Sequence, residues 1–340
     1  MKNVFITGAG GFIGSHIAGL FADKGFTVYA LVHENMCSYF QAISRKENVK
    51  VIRGDITDSV DVENKLKALN INYFIHCAAY ASDVGKRNKF LKCNYQAVIE
   101  LAEICLKMNV ERFVYVSTTD VYGLKDFNGE NEDELPLGVT VKNCYPEYKI
   151  KSEQWLKLNM PPENFSIVRP AAVWGEGDHT LTPRVISYLQ SFPVIVHFGK
   201  WHGRNRWPLA HVDNVAKATY AAAVLPEAGG QAVNVLDDEW TSVSDFYHII
   251  RDVFLPGKKL REISLPFSLA YLPAYISSGV SNALGRKTPL FDPSLYALYT
   301  IASNLDFNNR RFKAYLESSG QDITTRDEGF NSIKSSAVDK

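Results

Sequence analysis

Tyr145 and Lys149 stand four residues apart in a segment of helical character that runs to Leu158, so their side chains share one helix face. A phenol beside an ammonium is a tunable acid and base. Bringing tyrosine from its ordinary value toward neutrality takes roughly 4 kcal/mol of preferential stabilisation of the phenolate, and a nearby positive charge acts in that direction. The same pair alone also decorates solvated helices, so its position in the fold decides its meaning. Upstream, Ser117-Thr118-Thr119-Asp120 closes an apolar run. Hydroxyls at a strand's carboxyl end are placed to hold a carbonyl oxygen for reduction, or else to satisfy their own loop backbone. A third cluster, Gly8-Ala9-Gly10-Gly11-Phe12-Ile13-Gly14, lies between the apolar run 3–7 and a helix-period segment starting near Phe12. Gly8 permits a sharp turn, Gly11 lets the backbone approach a phosphate, and Gly14 lets the helix pack on the strand. Together they make a pyrophosphate site at a helix N-terminus. The spacing is Gly-x-x-Gly-x-x-Gly, not the commoner Gly-x-Gly-x-x-Gly.

Positioning these groups requires a scaffold. Strand-like runs recur at 4–7, 28–32, 49–53, 73–77, 113–117 and 165–169, with helix-period segments between most of them. The alternation predicts an α/β, doubly wound parallel sheet with right-handed crossovers, binding ligand at the strands' carboxyl ends. After Pro170 the pattern turns rich in Trp, His, Pro and Gly, then an alanine-rich helix (213–225) and a buried strand (231–236) return to the sheet. The expected division is 1–170 plus 206–236 for nucleotide binding, 171–205 plus 237–325 for an interleaved, smaller C-terminal substrate lobe, and 326–340 as a frayed tail.

The 340 residues carry 37 basic and 37 acidic side chains, so nothing electrostatic calls for nucleic acid, and a small-molecule substrate is expected. Five cysteines without metal-ligand spacing fit reduced thiols, no metal and a cytoplasmic protein, and the first strand begins too early for a leader peptide. The stretch 263–285 has no charged residue, but Pro266, Pro273 and Gly279 interrupt it. It reads as a buried or interfacial helix rather than a transmembrane segment, which leaves peripheral membrane contact open.

The glycine loop, Phe113-Val114-Tyr115-Val116-Ser117-Thr118 followed by Val121-Tyr122-Gly123, Tyr145-x-x-x-Lys149 and Arg169-Pro170 together resemble the extended short-chain dehydrogenase/reductase superfamily, which includes NAD-dependent epimerase/dehydratases and 3β-hydroxysteroid dehydrogenases. The resemblance covers roughly residues 1–236. It implies a Rossmann-type fold with Tyr145 as general acid/base, Lys149 holding the nicotinamide ribose and lowering the tyrosine's pKa, and Thr118 as the catalytic hydroxyl. It also implies cofactor contacts at Gly8, Gly11, Phe12, Ile13, Gly14, His33, Asp55, Ile56, Ala78, Ala79, Asn94 and Ser117, beside those of Tyr145 and Lys149. A homodimer through helices near 94–108 and 145–158 follows by the same analogy.

At the end of the second strand the chain reads Ala30-Leu31-Val32-His33, without the acid that holds the ribose hydroxyls of NAD. His33 stands where phosphate-preferring relatives carry arginine, so NADP(H) is favoured over NAD(H). Arg206 matches the arginine that nucleotide-sugar enzymes use on a diphosphate, whereas Trp174 and the uncharged 263–285 stretch point to an apolar substrate. Thr119 and Asp120 are further substrate candidates, and Thr118-Thr119-Asp120 is not the Thr-Asp-Glu of sugar dehydratases. The principal expectation is an oxidoreductase interconverting a secondary alcohol and a ketone on a bulky, largely apolar, sterol-like molecule. The alternatives are a nucleotide-sugar 4-epimerase or reductase with tightly bound NAD, and a non-catalytic dinucleotide-sensing protein.

Overall fold

The computed structural model describes residues 2–140 and 143–338, with side chains described as far as 333. Asp339 and Lys340, the end of the tail expected to fray, lie outside the described residues. The strands are β1 (Asn3–Thr7), β2 (Thr27–Val32), β3 (Val49–Arg53), β4 (Tyr73–His76), β5 (Arg112–Val116), β6 (Phe165–Pro170), β7 (Ala172–Trp174), β8 (Val194–Phe198), β9 (Leu209–His211), β10 (Ala232–Val235) and β11 (Arg261–Leu265). The α-helices are α1 (Phe12–Asp23), α2 (Ser38–Ile43), α3 (Ser59–Lys67), α4 (Arg87–Leu91), α5 (Ala97–Lys107), α6 (Cys144–Asn159), α7 (Leu181–Ser191), α8 (Val212–Val224), α9 (Val243–Phe254), α10 (Phe267–Leu284), α11 (Leu295–Ala302), α12 (Arg310–Ser318) and α13 (Arg326–Val338).

Seven strands form one parallel sheet in the order β3-β2-β1-β4-β5-β6-β10. The doubly wound sheet expected from the alternation is therefore present. Every residue of β4 and β5 is buried, which is why both are apolar but for His76 and Arg112 at their ends: helices cover both faces of the sheet. On one face α1 packs against α8, where Ile17, Ala18 and Phe21 meet the small Ala218, Ala221 and Ala222, all fully buried. Burying a side chain like Phe21 contributes about 2 to 3 kcal/mol, and the alanines let the helix axes approach. The order in which strands are added reverses between β1 and β4, so the connections after them leave on opposite faces and their carboxyl ends open a crevice.

The second lobe is built on two small parallel pairs, β7 with β9 and β8 with β11. Its core gathers Trp174, Val185, Leu189, Trp207, Phe246 and Phe330. Three segments depart from expectation. Residues 207–211, counted above with nucleotide binding, place Trp207 and Leu209 in the lobe core. α12, counted above with the lobe, places Phe312 and Leu316 in the core beneath the main sheet and packs on α8 and β10. The segment 326–338 is helical rather than frayed, because Phe330 supplies an apolar anchor that stacks on Trp174, with ring centroids 4.4 Å apart. α10 buries only Ala274, Ser277 and Ser281, so of the two readings of 263–285 the buried one is excluded. Among the described residues no helix is long and apolar enough to cross a membrane.

Candidate active site

β1 delivers the glycine loop to the crevice. Gly8 has φ +71°, and a Cβ there would stand 2.8 Å from the Ala78 amide nitrogen, so the loop after β4 can pass only over a glycine. A Cβ on Gly14 would lie 2.2 Å from the Gly8 carbonyl oxygen, which fixes how closely α1 approaches the loop. Gly11, at the N-cap of α1, offers no capping side chain, and the first turn carries no acid. The first-turn amides are therefore directed at the crevice without a competing internal carboxylate, a cradle that suits a pyrophosphate.

α6 delivers the phenol and the ammonium. Asn143 caps the helix by accepting from the Tyr145 amide at 2.8 Å, while its own side-chain amide donates to the Asp83 carbonyl at 3.1 Å. Pro146 falls in the first turn, where no intrahelical N–H is lost. Lys149, one turn on, is buried and donates from Nζ to the Val116 carbonyl at 2.7 Å, with Nζ 5.8 Å from the centre of the Tyr145 ring. Burial pulls its pKa down to about 8, against smaller opposing pulls from Cys77 and Glu153. Burial also pushes the Tyr145 phenol above its ordinary value, and the nearby Asp120 and Cys77 add to this. The protein alone thus holds Tyr145 as a neutral phenol, contrary to the lowering expected from Lys149.

The same helix face continues to Glu153, which sequence reasoning passed over. Glu153 accepts from Ser117 Oγ at 2.6 Å and from Arg169 Nε at 3.0 Å, with both members of the ion pair essentially inaccessible. Arg169 in turn donates to the Tyr122 hydroxyl, which donates to Asn234 Oδ1 at 2.8 Å. This chain of contacts accounts for Arg169 and Tyr122 structurally: they lock β5, β6, β10 and α6 beneath the site. Its only sequence signal was the i, i+4 spacing from Lys149.

Around the crevice lies a cavity of about 1160 Å³ that brings together Gly8, Gly11, Phe12, Ile13, Gly14, His33, Ala78, Ala79, Ser117, Thr119, Asp120, Tyr145 and Lys149. A second cavity, of about 640 Å³, continues from Gly8, His33, Ala78 and Ala79 to Asp55 and Ile56. His33 Nε2 stands 3.3 Å from Asp55 Oδ2 there, and Lys86, Lys89, Lys92 and Lys287 are the other charged residues of its lining. Four predicted site residues are outside both linings. Asn94 is buried in a π-helical turn (Lys92–Gln96) between α4 and α5, and its side-chain amide grips both backbone groups of Tyr80, at 2.7 and 3.0 Å. It braces the loop after β4. Thr118 is buried, and its Oγ1 accepts from the Asp120 amide at 3.2 Å, so Thr119 forms the wall instead.

The other two, Trp174 and Arg206, are corrections to the substrate assignments. Trp174 is fully buried in the lobe core, donating to Asp237 Oδ2 at 2.6 Å, because its indole is too large and apolar to leave that core. Arg206 is tied to Asp306 and to the Phe307 carbonyl, so its charge is already partnered. The arginine that does line the cavity is Arg184, paired with Asp83 and Asp292. Tyr296 of α11 also enters the wall and donates to Asp120, whose carboxyl is pushed up by burial. Most of the lobe side is apolar, with Leu181, Val185, Phe192, Val196, Phe198 and Trp207.

A doubly wound sheet with a glycine cradle at its switch point and a buried Tyr-x-x-x-Lys beside it defines a dinucleotide-dependent α/β enzyme. Residues 4–235 match the model of the NAD-dependent epimerase/dehydratase family, and the chain belongs to that family, within the extended short-chain dehydrogenase/reductase superfamily. Among curated proteins it is 25% identical over 308 residues to human short-chain dehydrogenase/reductase family 42E member 1, covering 84% of this chain and 75% of that one. It is 26% identical over 313 residues to the decarboxylating sterol-4-alpha-carboxylate 3-dehydrogenase of Mus musculus, covering 87% and 81%. Among solved structures the fold is similar to UDP-glucose 4-epimerase of Thermotoga maritima, with TM-score 0.72, 18% identity, and coverage of 99% of this chain and 100% of that one.

Proposed function

We propose that the protein is an NADP(H)-preferring oxidoreductase that interconverts a secondary alcohol and a ketone on a bulky, largely apolar, sterol-like substrate. The observation that carries the reading is the placement of Tyr145 and Lys149 at the junction of the glycine cradle and the apolar lobe wall. The bound dinucleotide would supply or accept the hydride. Tyr145, neutral at physiological pH, donates its phenolic proton to the substrate oxygen in reduction and recovers it in oxidation. Lys149 holds positive charge behind the phenol, and the Thr119 hydroxyl in the wall polarises the oxygen. The sterol dehydrogenase relatives support the apolar substrate.

NADP(H) is supported by the four lysines and His33 lining the second cavity, opposed there by Asp55 alone, a charge balance that favours an additional phosphate. The nucleotide-sugar reading loses its main support with Arg206 committed to Asp306. A homodimer in the cytoplasm completes the proposal by analogy with the superfamily.

The test is oxidation of NADPH and NADH against a panel of sterol-like ketones, with Tyr145→Phe as control and the nucleotide released by denaturing the purified protein identified. Ketone-dependent turnover with NADPH preferred, lost in Tyr145→Phe, is expected. Tightly retained NAD with UDP-sugar epimerisation overturns the reading in favour of an epimerase. Firm cofactor binding without turnover on any carbonyl overturns it in favour of a sensor.

A further inference from the structure

α10 is built inside out. Past Phe267, which packs on Tyr299 at the helix start, the residues it turns toward the protein are small: Ala274, Ser277 and Ser281 are buried, and Ser277 Oγ both donates to the Phe291 carbonyl and accepts from its amide. The large apolar residues face outward. Leu269, Leu272, Tyr275, Ile276 and Leu284 are all about half exposed or more, from 49% to 66%. Positions 269, 272, 276 and 280 follow the 3-and-4 spacing of a single stripe, so this is one continuous face and not a scatter of isolated side chains. Leu290 and Phe291, also exposed, extend it past the helix end.

The chain on either side of this face is basic. Lys258, Lys259 and Arg261 precede it and Arg286 and Lys287 follow it, against Glu262 alone between 253 and 291, in a chain whose total charge is zero. Glu262 is itself engaged by His197, His248 and Ser244. The helix carries no charge of its own, is 18 residues long and is interrupted by Pro273. An apolar face bracketed by cations on a helix that does not span fits a surface whose interior is hydrocarbon and whose headgroups are anionic.

We propose that the outer face of α10, with Leu290 and Phe291, docks the protein on an anionic lipid surface, the helix lying in the headgroup layer with Lys259, Arg261 and Arg286 among the phosphates. Phe291 leads directly into Asp292 and Pro293 of the large cavity's wall, so the docked face adjoins the side of the cavity formed by α11. The docking is independent of the redox reading: either can fail while the other stands.

The test is flotation of the full chain with phosphatidylcholine vesicles, with and without phosphatidylserine, together with sedimentation velocity in the absence of lipid. Binding to phosphatidylserine vesicles that falls with added salt is expected. Leu272→Glu with Ile276→Glu is expected to reduce it more than about tenfold, and Lys259→Glu with Arg286→Glu by a similar factor. None of these four residues lines either cavity, and unchanged far-UV circular dichroism and thermal midpoint show that each variant folds. Absence of flotation, equal flotation on neutral vesicles, or flotation indifferent to Leu272→Glu/Ile276→Glu overturns the proposal. A lipid-free dimer that the same apolar substitutions dissociate overturns it in favour of a second copy of this chain.

Discussion

Lys149 donates from Nζ to the carbonyl oxygen of Val116 at 2.7 Å, so the last residue of β5 sets the position of the ammonium carried by α6. Strand end and helix are thereby registered to each other at the atom where charge is needed. The anchoring carbonyl replaces only part of the lost water, which leaves the group titrating at about 8 instead of its ordinary 10.5.

That value gives a pH dependence. If positive charge on Lys149 supports proton transfer at Tyr145, kcat/KM falls as pH rises through about 8. In Lys149→Arg, which cannot deprotonate in this range, the limb vanishes even though overall activity is reduced. Stability moves the other way. A lowered lysine pKa means that the unfolded chain binds the proton more strongly, so the cost of burying the ammonium is full below about 8 and is relieved between 8 and 10.5. A pH–rate profile alongside thermal melts over the same range checks both signs.

The paired threonines divide a task that one alanine substitution apiece can apportion. Thr119→Ala, which removes the hydroxyl in the cavity wall, is expected to lower kcat by about 100-fold with little change in KM, the signature of a hydrogen bond made in the transition state. Thr118→Ala, which removes the acceptor for the Asp120 amide, is expected to act mainly on KM through the position of Asp120. The reverse pattern would transfer the polarising role to Thr118.

Glu153→Gln removes one charge from a pair with no access to water. The remaining Arg169 guanidinium is left uncompensated, and breaking such a pair costs about 3 to 5 kcal/mol. A thermal midpoint lowered by several degrees is expected, even though Glu153 lines neither cavity. A midpoint unchanged within error would show that the pair contributes no net stability.

Glu262 ties β11 to both β8 and α9. Burial alone would raise its pKa, but hydrogen bonds from His248, His197 and Ser244 dominate and pull it down to about 2. A carboxylate lowered in the folded state stabilises above its unfolded value near 4.5, and that contribution is lost as pH falls from there toward 2. The side chain is 36% exposed, so screening reduces the contribution to about 1 kcal/mol. Denaturant titrations should show wild type and Glu262→Gln converging as the solution is acidified.

The sheet was legible in the sequence because strands covered on both faces need apolar centres, and β1, β4 and β5 have them at 4–6, 73–75 and 113–116. Tyr145 and Lys149 were legible because a helix makes neighbours of residues four apart. Other relationships leave no local trace. Tyr296 meets Asp120 across 176 residues of chain, and only the packing of α11 brings them together. Residue type misled at Trp174, because a large aromatic suits a core as well as it suits a ligand. It misled again at Arg206, whose partner Asp306 lies 100 residues further on. The tail misled because two apolar residues, Phe330 and Ile333, pack on the lobe core from a helix whose remaining residues are mostly polar.

The π turn at 92–96 carries one residue more than an α-helix would use over the same span. Everything C-terminal to it in α5 is therefore rotated by roughly 100° relative to α4, the angle one residue subtends. This makes the helix intolerant of regularisation: deleting a single residue there would improve its ideal geometry while turning Asn94 off Tyr80 and releasing the loop that Gly8 was shaped to admit. A local irregularity here acts as a phase setting, and it is the number of residues between 87 and 107 that aims Asn94 at Tyr80.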